Sequence, residues 1–154
     1  MLELWTDGSA VPNPGKGGFA VILDGKPVVL GNEDDSTNIR MEGMALIAAM
    51  EYGEKHGGGE YKIYTDSEFW VNVLTKWAGA WEAKGWKKAK GEIKNLEIVQ
   101  KMYTLYKKGG VKLEWTRGHV GTEMNELADH WANRAREGEK VIEKDKKLVE
   151  EGEG

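Results

Sequence analysis

Residues 2–30 read LELWTDGSAVPNPGKGGFAVILDGKPVVL, and this stretch decides the fold. The alternation of apolar and polar residues over positions 2–6 predicts a strand that runs into a turn at Asp7-Gly8-Ser9. A loop rich in proline, at 12–15, leads to a second strand over 17–23. Asp24-Gly25 is typical of a two-residue hairpin turn, so residues 26–30 are expected to form a third strand. The sequence therefore predicts three successive antiparallel strands.

The rest of the chain alternates helices with strands. After a polar loop at 31–37, a helix is predicted from about 38 to about 55, where the glycines at 57–59 stop it. A fourth strand over 61–65 follows that helix and is expected to lie parallel to the first. A helix from about 67, a helix closed by Gly109-Gly110, a fifth strand over 111–115 and a last helix from about 122 complete the order. We expect an α/β fold with a five-stranded mixed sheet, three antiparallel strands and then two parallel ones, flanked by helices.

Composition excludes several classes of protein. The 154 residues are 40% hydrophobic and 31% charged, which is ordinary for one globular domain and excludes a mainly disordered chain. No apolar run approaches the roughly 20 residues that span a bilayer. The absence of cysteine excludes disulfides and thiolate zinc sites. Because the first residues lack the basic and apolar segments of a secretion signal, we expect a cytoplasmic protein.

Charge is distributed unevenly along the chain. The net charge is −4, yet nine lysines and three glutamates lie between positions 76 and 108. Trp77, Trp81 and Trp86 are interspersed among these lysines. A solvated lysine-rich helix face would explain the charge alone. Indole rings beside lysines also suit nucleic acid, whose phosphates attract lysine and whose bases stack on aromatic rings. The last residues, 137–154, are mostly charged and are expected to form a helical extension or a disordered tail.

Four carboxylates are candidates for a common site. Asp7 and Asp66 follow the first and fourth predicted strands, so we expect them side by side at the carboxyl edge of the sheet. Each also has a structural interpretation, because Asp7-Gly8 suits a turn, and Thr65-x-x-Glu68 suits a capping box with Asp66 in the first turn of the helix. Glu42 lies in the least polar part of the first helix and Asp129 lies in the last helix. Both could converge on the same edge.

Convergence of these acids would require compensation of their charge. At about 4 Å and an effective dielectric constant near 20, each pair of like charges costs roughly 4 kcal/mol. Either the carboxylates take up protons or divalent cations lie between them. All-oxygen ligands favour Mg²⁺ or Mn²⁺ over zinc. Two such ions about 4 Å apart can activate a water molecule and stabilise the leaving oxygen of a phosphodiester.

Several short motifs follow one another in a fixed order. They are Thr6-Asp7-Gly8-Ser9, Asn13-Pro14-Gly15, Gly17-Gly18, Asn38-Ile39-Arg40-Met41-Glu42, Tyr64-Thr65-Asp66-Ser67, Gly118-His119-Val120-Gly121 and the segment 125–129. In their order and spacing they resemble type 1 ribonuclease H over residues 1–136. Gly85-Trp86-Lys87 is similar to part of the basic protrusion of the bacterial members, the handle, which would span about 76–91. The tail, 137–154, lies outside the resemblance.

The resemblance implies an endoribonuclease that hydrolyses the RNA strand of RNA/DNA hybrids with two metal ions, leaving 5′-phosphate and 3′-hydroxyl ends. It implies Mg²⁺ as the cofactor, with Mn²⁺ as a substitute. The partner would be the hybrid, without a membrane, and we expect a monomer. The metal ligands would be Asp7, Glu42, Asp66 and Asp129, and His119 would assist proton transfer or product release. Asn13, Thr37 and Asn38 would contact the minor groove, consistent with recognition of 2′-hydroxyl groups. The handle residues that would hold the DNA strand are Trp77, Trp81, Lys84, Trp86, Lys87 and Lys88.

The sequence also departs from the bacterial pattern. Ile39 replaces a second asparagine, Glu68 replaces a glutamine, and Ala80, Glu82 and Ala83 replace polar or basic handle residues. Fewer polar and cationic contacts should weaken binding to a polyanion and alter its salt response. Two other functions stay open at this point. One is a related nuclease of the same fold, such as a reverse-transcriptase ribonuclease H domain, a resolvase or a transposase. The other is a module that binds hybrids without cutting, against which the four intact acids argue.

Overall fold

The computed structural model describes residues 1–88, 91–116 and 123–141. Its strands are β1 (Leu2–Val11), β2 (Gly15–Leu23), β3 (Lys26–Ser36), β4 (Tyr61–Thr65) and β5 (Val111–Trp115). They form one sheet in the order β3-β2-β1-β4-β5. The pairs β1–β2 and β2–β3 are antiparallel, whereas β1–β4 and β4–β5 are parallel. The predicted α/β class and mixed five-stranded sheet are confirmed.

Helices cover both faces of this sheet. They are α1 (Asn38–His56), α2 (Glu68–Asn72), α3 (Ala78–Ala83), α4 (Leu96–Lys107) and α5 (Glu123–Arg136). A π-helical turn, Val73–Trp77, joins α2 to α3 without a break in the helical path. The main core lies between the sheet and the side that carries α1 and α4, and a smaller core of alanines and isoleucine lies beneath α5. Within the described residues, no helix is long and apolar enough to cross a membrane.

Two strands run further than the sequence predicts. The predicted turn at Asp7-Gly8-Ser9 is wrong, because β1 continues to Val11 and pairs Asp7 with Ala20 of β2. The predicted polar loop at 31–37 is also wrong, because β3 continues to Ser36. Neither extension has a regular apolar alternation that could mark it in the sequence, and the strand conformation of both is fixed by pairing with β2.

Small residues let α5 lie close to the sheet. A β-carbon at Gly18 of β2 would lie 2.3 Å from the Arg136 nitrogen and 2.4 Å from the Ala132 carbonyl oxygen. The backbone of α5 therefore rests directly on β2. Ala128 and Ala135 are fully buried on the inner face of this helix, while Leu127 and Trp131 are only partly buried at its margin.

The start of α2 is capped differently from the prediction. The sequence suggests a capping box that begins at Thr65, but Ser67 is the N-cap and its hydroxyl oxygen accepts a hydrogen bond from the Trp70 amide at 3.3 Å. Trp70 is fully buried, and its indole Nε1 donates to the Ile39 carbonyl oxygen at 2.7 Å. This bond joins α2 to the first turn of α1, so the two helices that flank the carboxyl edge of β4 are fixed to each other.

Candidate active site

The candidate active site lies where β1 and β4 separate. The parallel pairing of these strands ends at Trp5 and Tyr64, whose rings stack with centroids 3.9 Å apart. The Thr6 hydroxyl still donates to the Tyr64 carbonyl oxygen at 2.9 Å. Beyond that bond β1 continues beside β2, while the chain after β4 turns into α2. Asp7 and Asp66 therefore face each other across the opening between the two strands.

Glu42 joins these two aspartates from α1. Carboxylate oxygens of Asp7, Glu42 and Asp66 lie within 4.8 Å of one another. Among the described residues, this is the one group of three potential metal ligands that lie so close together. The approach of α1 depends on Gly8, because a β-carbon there would lie 2.3 Å from the Met41 carbonyl carbon and 2.5 Å from the Glu42 nitrogen. Only a residue without a side chain lets the helix come this near to β1.

Hydrogen bonds hold the end of β4 in place beneath Asp66. The Thr116 amide and hydroxyl both donate to the Thr65 carbonyl oxygen, at 2.8 and 3.1 Å. The indole Nε1 of Trp115 donates to the Asp66 carbonyl oxygen at 3.3 Å. The backbone that carries Asp66 is therefore anchored by β5 as well as by its own strand.

Burial and mutual repulsion raise the pKa values of two of these acids. Asp7 is 7% exposed. Burial is the main cause that raises its pKa to about 9, followed by the charges of Asp66, Asp129 and Glu42. The pKa of Glu42 is raised to about 7, again chiefly by burial and then by Asp66. At neutral pH the cluster therefore holds protons that a divalent cation would replace.

The donor set fits a hard divalent cation. All of the grouped ligand atoms are carboxylate oxygens, the type that Mg²⁺ and Mn²⁺ prefer. A cation between them would offset the repulsion that raises the pKa of Asp7. The predicted convergence of Asp7, Glu42 and Asp66 is thus present in the geometry, together with the electrostatic strain that the sequence predicts.

The fourth predicted acid, Asp129, lies at the margin of the cluster. It is exposed on α5, and its charge contributes to the raised pKa of Asp7. Its Oδ2 accepts a hydrogen bond from the side-chain Nδ2 of Asn133 at 3.5 Å, a long contact between residues one helical turn apart. His119, the remaining predicted catalytic residue, lies outside the described residues.

Three predicted substrate-binding residues, Asn13, Thr37 and Asn38, form a corner of the protein at the start of α1. The Asn13 Oδ1, in the loop between β1 and β2, accepts a hydrogen bond from the Asn38 amide at 3.1 Å. The Asn38 Oδ1 accepts from the Ala10 amide at 2.6 Å. Thr37 is the N-cap of α1, and its hydroxyl oxygen accepts from the Arg40 amide at 3.1 Å. The structure therefore brings Asn13, Thr37 and Asn38 together.

Arg40 fastens this corner to the rest of the protein. Its Nε lies 2.7 Å from Oε1 of Glu33 on β3, and its Nη1 lies 2.5 Å from Oε1 of Glu97 on α4. Hydrogen bonds to these two carboxylates raise the pKa of the Arg40 guanidinium. One side chain thus connects the first turn of α1 to the edge strand and to the opposite helix.

The tryptophans of the predicted handle differ in exposure. Trp77 is 39% exposed, and its ring lies 6.1 Å from those of both Phe69 and Trp81. Trp86 is half-buried and makes an edge contact with Tyr103 of α4, with centroids 6.2 Å apart. The exposed aromatic surface is therefore formed by Phe69 and Trp77 with part of Trp81, and Trp86 attaches the handle to α4.

The charges of the handle are likewise unequal. Lys84, Lys87 and Lys88 are exposed. Glu82, one of the departures from the bacterial pattern, forms an ion pair with Lys107 at 2.5 Å. The anion that the sequence introduces into the handle is therefore partly neutralised by a lysine of α4.

Comparison with known proteins shows the family to which the chain belongs. The family model described as RNase H matches residues 1–137. The chain belongs to the ribonuclease H family. The chain is 38% identical over 141 residues to the ribonuclease H of Acidiphilium cryptum strain JF-5, covering 89% of this chain and 87% of that protein. It is 40% identical over 135 residues to the ribonuclease H of Francisella tularensis subsp. novicida strain U112, covering 85% and 88%.

A solved structure agrees with this assignment. The crystal structure of LC9-RNase H1, a type 1 RNase H with the type 2 active-site motif, superposes with a TM-score of 0.75 at 29% identity. The match covers 91% of this chain and 74% of that one. This ribonuclease H family member is accordingly a nuclease, a hydrolase of phosphodiester bonds.

Two side chains of this ribonuclease H near the site were not singled out from the sequence. Phe69 is 40% exposed beside Trp77, and Asn133 contacts Asp129. Phe69 lies in α2 and Trp77 is the last residue of the π-helical turn, so no single α-helical period runs through both positions. For Asn133, the position one helical turn after Asp129 was the available signal.

Proposed function

We propose that this protein is an endonuclease that hydrolyses the RNA strand of RNA/DNA hybrids and leaves 5′-phosphate and 3′-hydroxyl ends. The observation that carries the proposal is the convergence of Asp7, Glu42 and Asp66 at the opening between β1 and β4. The raised pKa values of Asp7 and Glu42 are the property expected of a cluster that functions with bound cations. Family membership supports the choice of substrate.

Asp7, Glu42, Asp66 and Asp129 are the proposed metal ligands, and Mg²⁺ is the proposed ion, with Mn²⁺ as a substitute. When bound, two such ions activate a water molecule and stabilise the leaving oxygen. The role of the protein is to hold the acids on four elements that cannot move independently. β1 and β4 are paired in the sheet, α1 rests on Gly8, and α5 rests on Gly18. His119 is proposed to assist proton transfer or product release.

The corner of Asn13, Thr37 and Asn38 is proposed to recognise the minor groove of the hybrid. The Oδ1 atoms of both asparagines accept hydrogen bonds from backbone amides, so the NH₂ end of each amide is directed away from its backbone partner. The corner therefore offers hydrogen-bond donors, which suit the oxygen of a 2′-hydroxyl and the acceptors on base edges.

The handle, about 76–91, is proposed to hold the DNA strand. Trp77 and Trp81 would contact sugars or bases, and Lys84, Lys87 and Lys88 would neutralise phosphates. The half-buried Trp86 is proposed to act by supporting this surface. The catalytic domain would comprise residues 1–136, and the charged tail would comprise residues 137–154. We propose that the protein acts as a monomer in the cytoplasm.

The test uses a hybrid labelled on its RNA strand, with RNA/RNA and DNA/DNA duplexes as substrate controls. Each duplex is incubated with Mg²⁺ or EDTA and with wild type, Asp7→Asn or Asp24→Asn. Asp24 is an exposed aspartate in the β2–β3 turn, so its substitution is the matched control. We expect metal-dependent cutting of RNA in the hybrid alone, abolished by Asp7→Asn and retained by Asp24→Asn. Binding without cutting, or cutting of DNA, would refute the proposal.

A further inference from the structure

A small polar network connects α5 to β1 beside the acidic cluster. Nη1 of Arg136 donates to Oδ1 of Asn133 at 2.6 Å and to the hydroxyl oxygen of Ser9 at 3.2 Å. The Ser9 hydroxyl in turn donates to the same Asn133 Oδ1 at 3.3 Å. Ser9 lies two residues after Asp7 on β1, and Asn133 lies one turn after Asp129 on α5. The network thus joins the strand that carries one acid to the helix that carries another.

The chemistry of the donors fixes the orientation of the Asn133 amide. A guanidinium has hydrogen-bond donors and no acceptor, so the atom of Asn133 that faces Arg136 must be the carbonyl oxygen. The Ser9 hydroxyl reinforces this choice at the same oxygen. The NH₂ group of Asn133 is consequently directed to the other side, where Oδ2 of Asp129 lies 3.5 Å away.

The guanidinium itself is well shielded from solvent. The Arg136 side chain is 16% exposed, and besides Ser9 and Asn133 it lies 3.7 Å from a carboxylate oxygen of Glu137. Immobilising a long cationic side chain costs conformational entropy and hydration. The hydrogen bonds to Ser9 and Asn133 offset that cost. The bond to Asn133 also restricts the side-chain amide of that residue to a single orientation.

We propose that Asn133, held by Arg136 and Ser9, is a positioning residue that orients the Asp129 carboxylate toward the metal site. Asp129 is exposed, whereas Asp7 is buried, so the Asp129 carboxylate rotates more freely than the Asp7 carboxylate. A donor at Oδ2 leaves Oδ1 as the oxygen available to a metal ion. The inference rests on the proposed role of Asp129 as a metal ligand. Residues that orient ligands in this way typically change metal affinity by 10- to 100-fold when they are replaced.

The test compares Asn133→Leu, Arg136→Met and the double variant with wild type. Arg134→Met is the matched control, because Arg134 lies on the same helix but pairs with Glu139 at 3.0 Å, remote from Ser9. Three quantities are measured for each protein. They are the Mg²⁺ affinity of the free protein by calorimetry, the Mg²⁺ concentration that gives half-maximal cleavage of the hybrid, and the melting temperature in EDTA.

We expect Asn133→Leu to weaken Mg²⁺ binding on the order of ten-fold and to raise the half-maximal Mg²⁺ concentration by the same factor. The rate at saturating Mg²⁺ should stay close to that of wild type. Arg136→Met should shift both quantities in the same direction and should add nothing in the double variant, because it acts through Asn133. Arg134→Met should match wild type.

Two results would overturn the inference. One is an Asn133→Leu variant with wild-type Mg²⁺ affinity, whatever its melting temperature, since a purely structural residue would lower only the latter. The other is a double variant whose loss is the product of the two single losses, which would show that Arg136 does not act through Asn133. If wild type failed to cut the hybrid, the proposed function would fall instead, while the calorimetric comparison would still test the positioning of Asp129.

Discussion

Replacement of Asp7 by asparagine should stabilise the protein in the absence of metal, and the gain should grow with pH. The pKa of Asp7 is raised from 3.8 to about 9, and the pKa of Glu42 is raised from 4.5 to about 7. A carboxyl group whose pKa is higher in the folded state than in the unfolded state makes its full contribution to stability at pH values below its pKa in the unfolded state. That contribution is lost as the pH rises toward the folded value. The metal-free wild type should therefore lose stability between about pH 4 and pH 9.

The size of the effect follows from the same shift. Each unit of pH between the two pKa values costs about 1.4 kcal/mol. At pH 7, roughly three units above the unfolded pKa of Asp7, the penalty is at most about 4 kcal/mol. Asparagine has nearly the same shape and no charge, so Asp7→Asn should recover much of this penalty. For a domain of this size, the melting temperature in EDTA should rise by roughly 10 °C.

Urea unfolding in EDTA, followed by circular dichroism from pH 5 to pH 8, measures the difference directly. The free energy of unfolding of Asp7→Asn should exceed that of wild type by an amount that increases across this range. Asp24→Asn, in the exposed hairpin turn, should differ from wild type by a small and constant amount. Saturating Mg²⁺ should reduce or reverse the gain, because only wild type keeps all of its proposed ligands. A variant less stable than wild type at every pH would show that Asp7 has a structural role and would refute the electrostatic reasoning.

Three further predictions concern the same surface. Mg²⁺ is titrated into the free protein at pH 7 in two buffers with different ionisation enthalpies. The difference between the two should reveal the release of about one proton or more per protein, because Asp7 is protonated and Glu42 is partly protonated at this pH. Equal apparent enthalpies in both buffers would contradict the raised pKa values. Gly8→Ala should reduce cleavage of the hybrid by on the order of 100-fold, because its β-carbon would push Met41 and the first turns of α1 away from β1. Normal activity would mean that α1 does not need this close approach. Trp77→Ala should weaken binding to the hybrid by roughly ten-fold, since loss of one stacking platform costs about 1–3 kcal/mol. Affinity is compared at a temperature well below the melting temperature of the variant, because Trp77 is only 39% exposed and also packs against Phe69 and Trp81. Unchanged affinity in a filter-binding or fluorescence assay would remove Trp77 from the substrate surface.

The central part of the fold was predictable because local and long-range signals agree there. Asp24 and Gly25 have φ angles of 51° and 79°, the left-handed conformation that their identities predict for a two-residue hairpin. The parallel pairing of β1 with β4 follows from the helix between them. That pairing, together with the length of each strand, is enough to bring Asp7 near Asp66 before any side chain is considered.

Other features depend on partners that a local pattern cannot reveal. The ends of β1 and β3 lack a regular apolar alternation and are strands because β2 pairs with them. Gly8 is typical of a turn unless the position of α1 is known. Trp86 belongs to a lysine-rich segment, yet its contact with Tyr103 makes it half-buried. The orientation of the Asn133 amide is set by Arg136 and by Ser9, which is 124 residues away along the chain.

The π-helical turn at Val73–Trp77 lets the helical path hold one extra residue without a change in the direction of the handle. Each residue of an α-helix turns the following side chains by about 100° around the axis. A π-helical turn accommodates one residue more than an α-helical turn. Deletion of one residue here would therefore restore a regular helix and leave Trp81 facing nearly the same way relative to the acids, whereas the same deletion within α2 would rotate Trp81 by about 100°. Loss of a single codon should accordingly be tolerated at this turn and should redirect the handle one turn away from it.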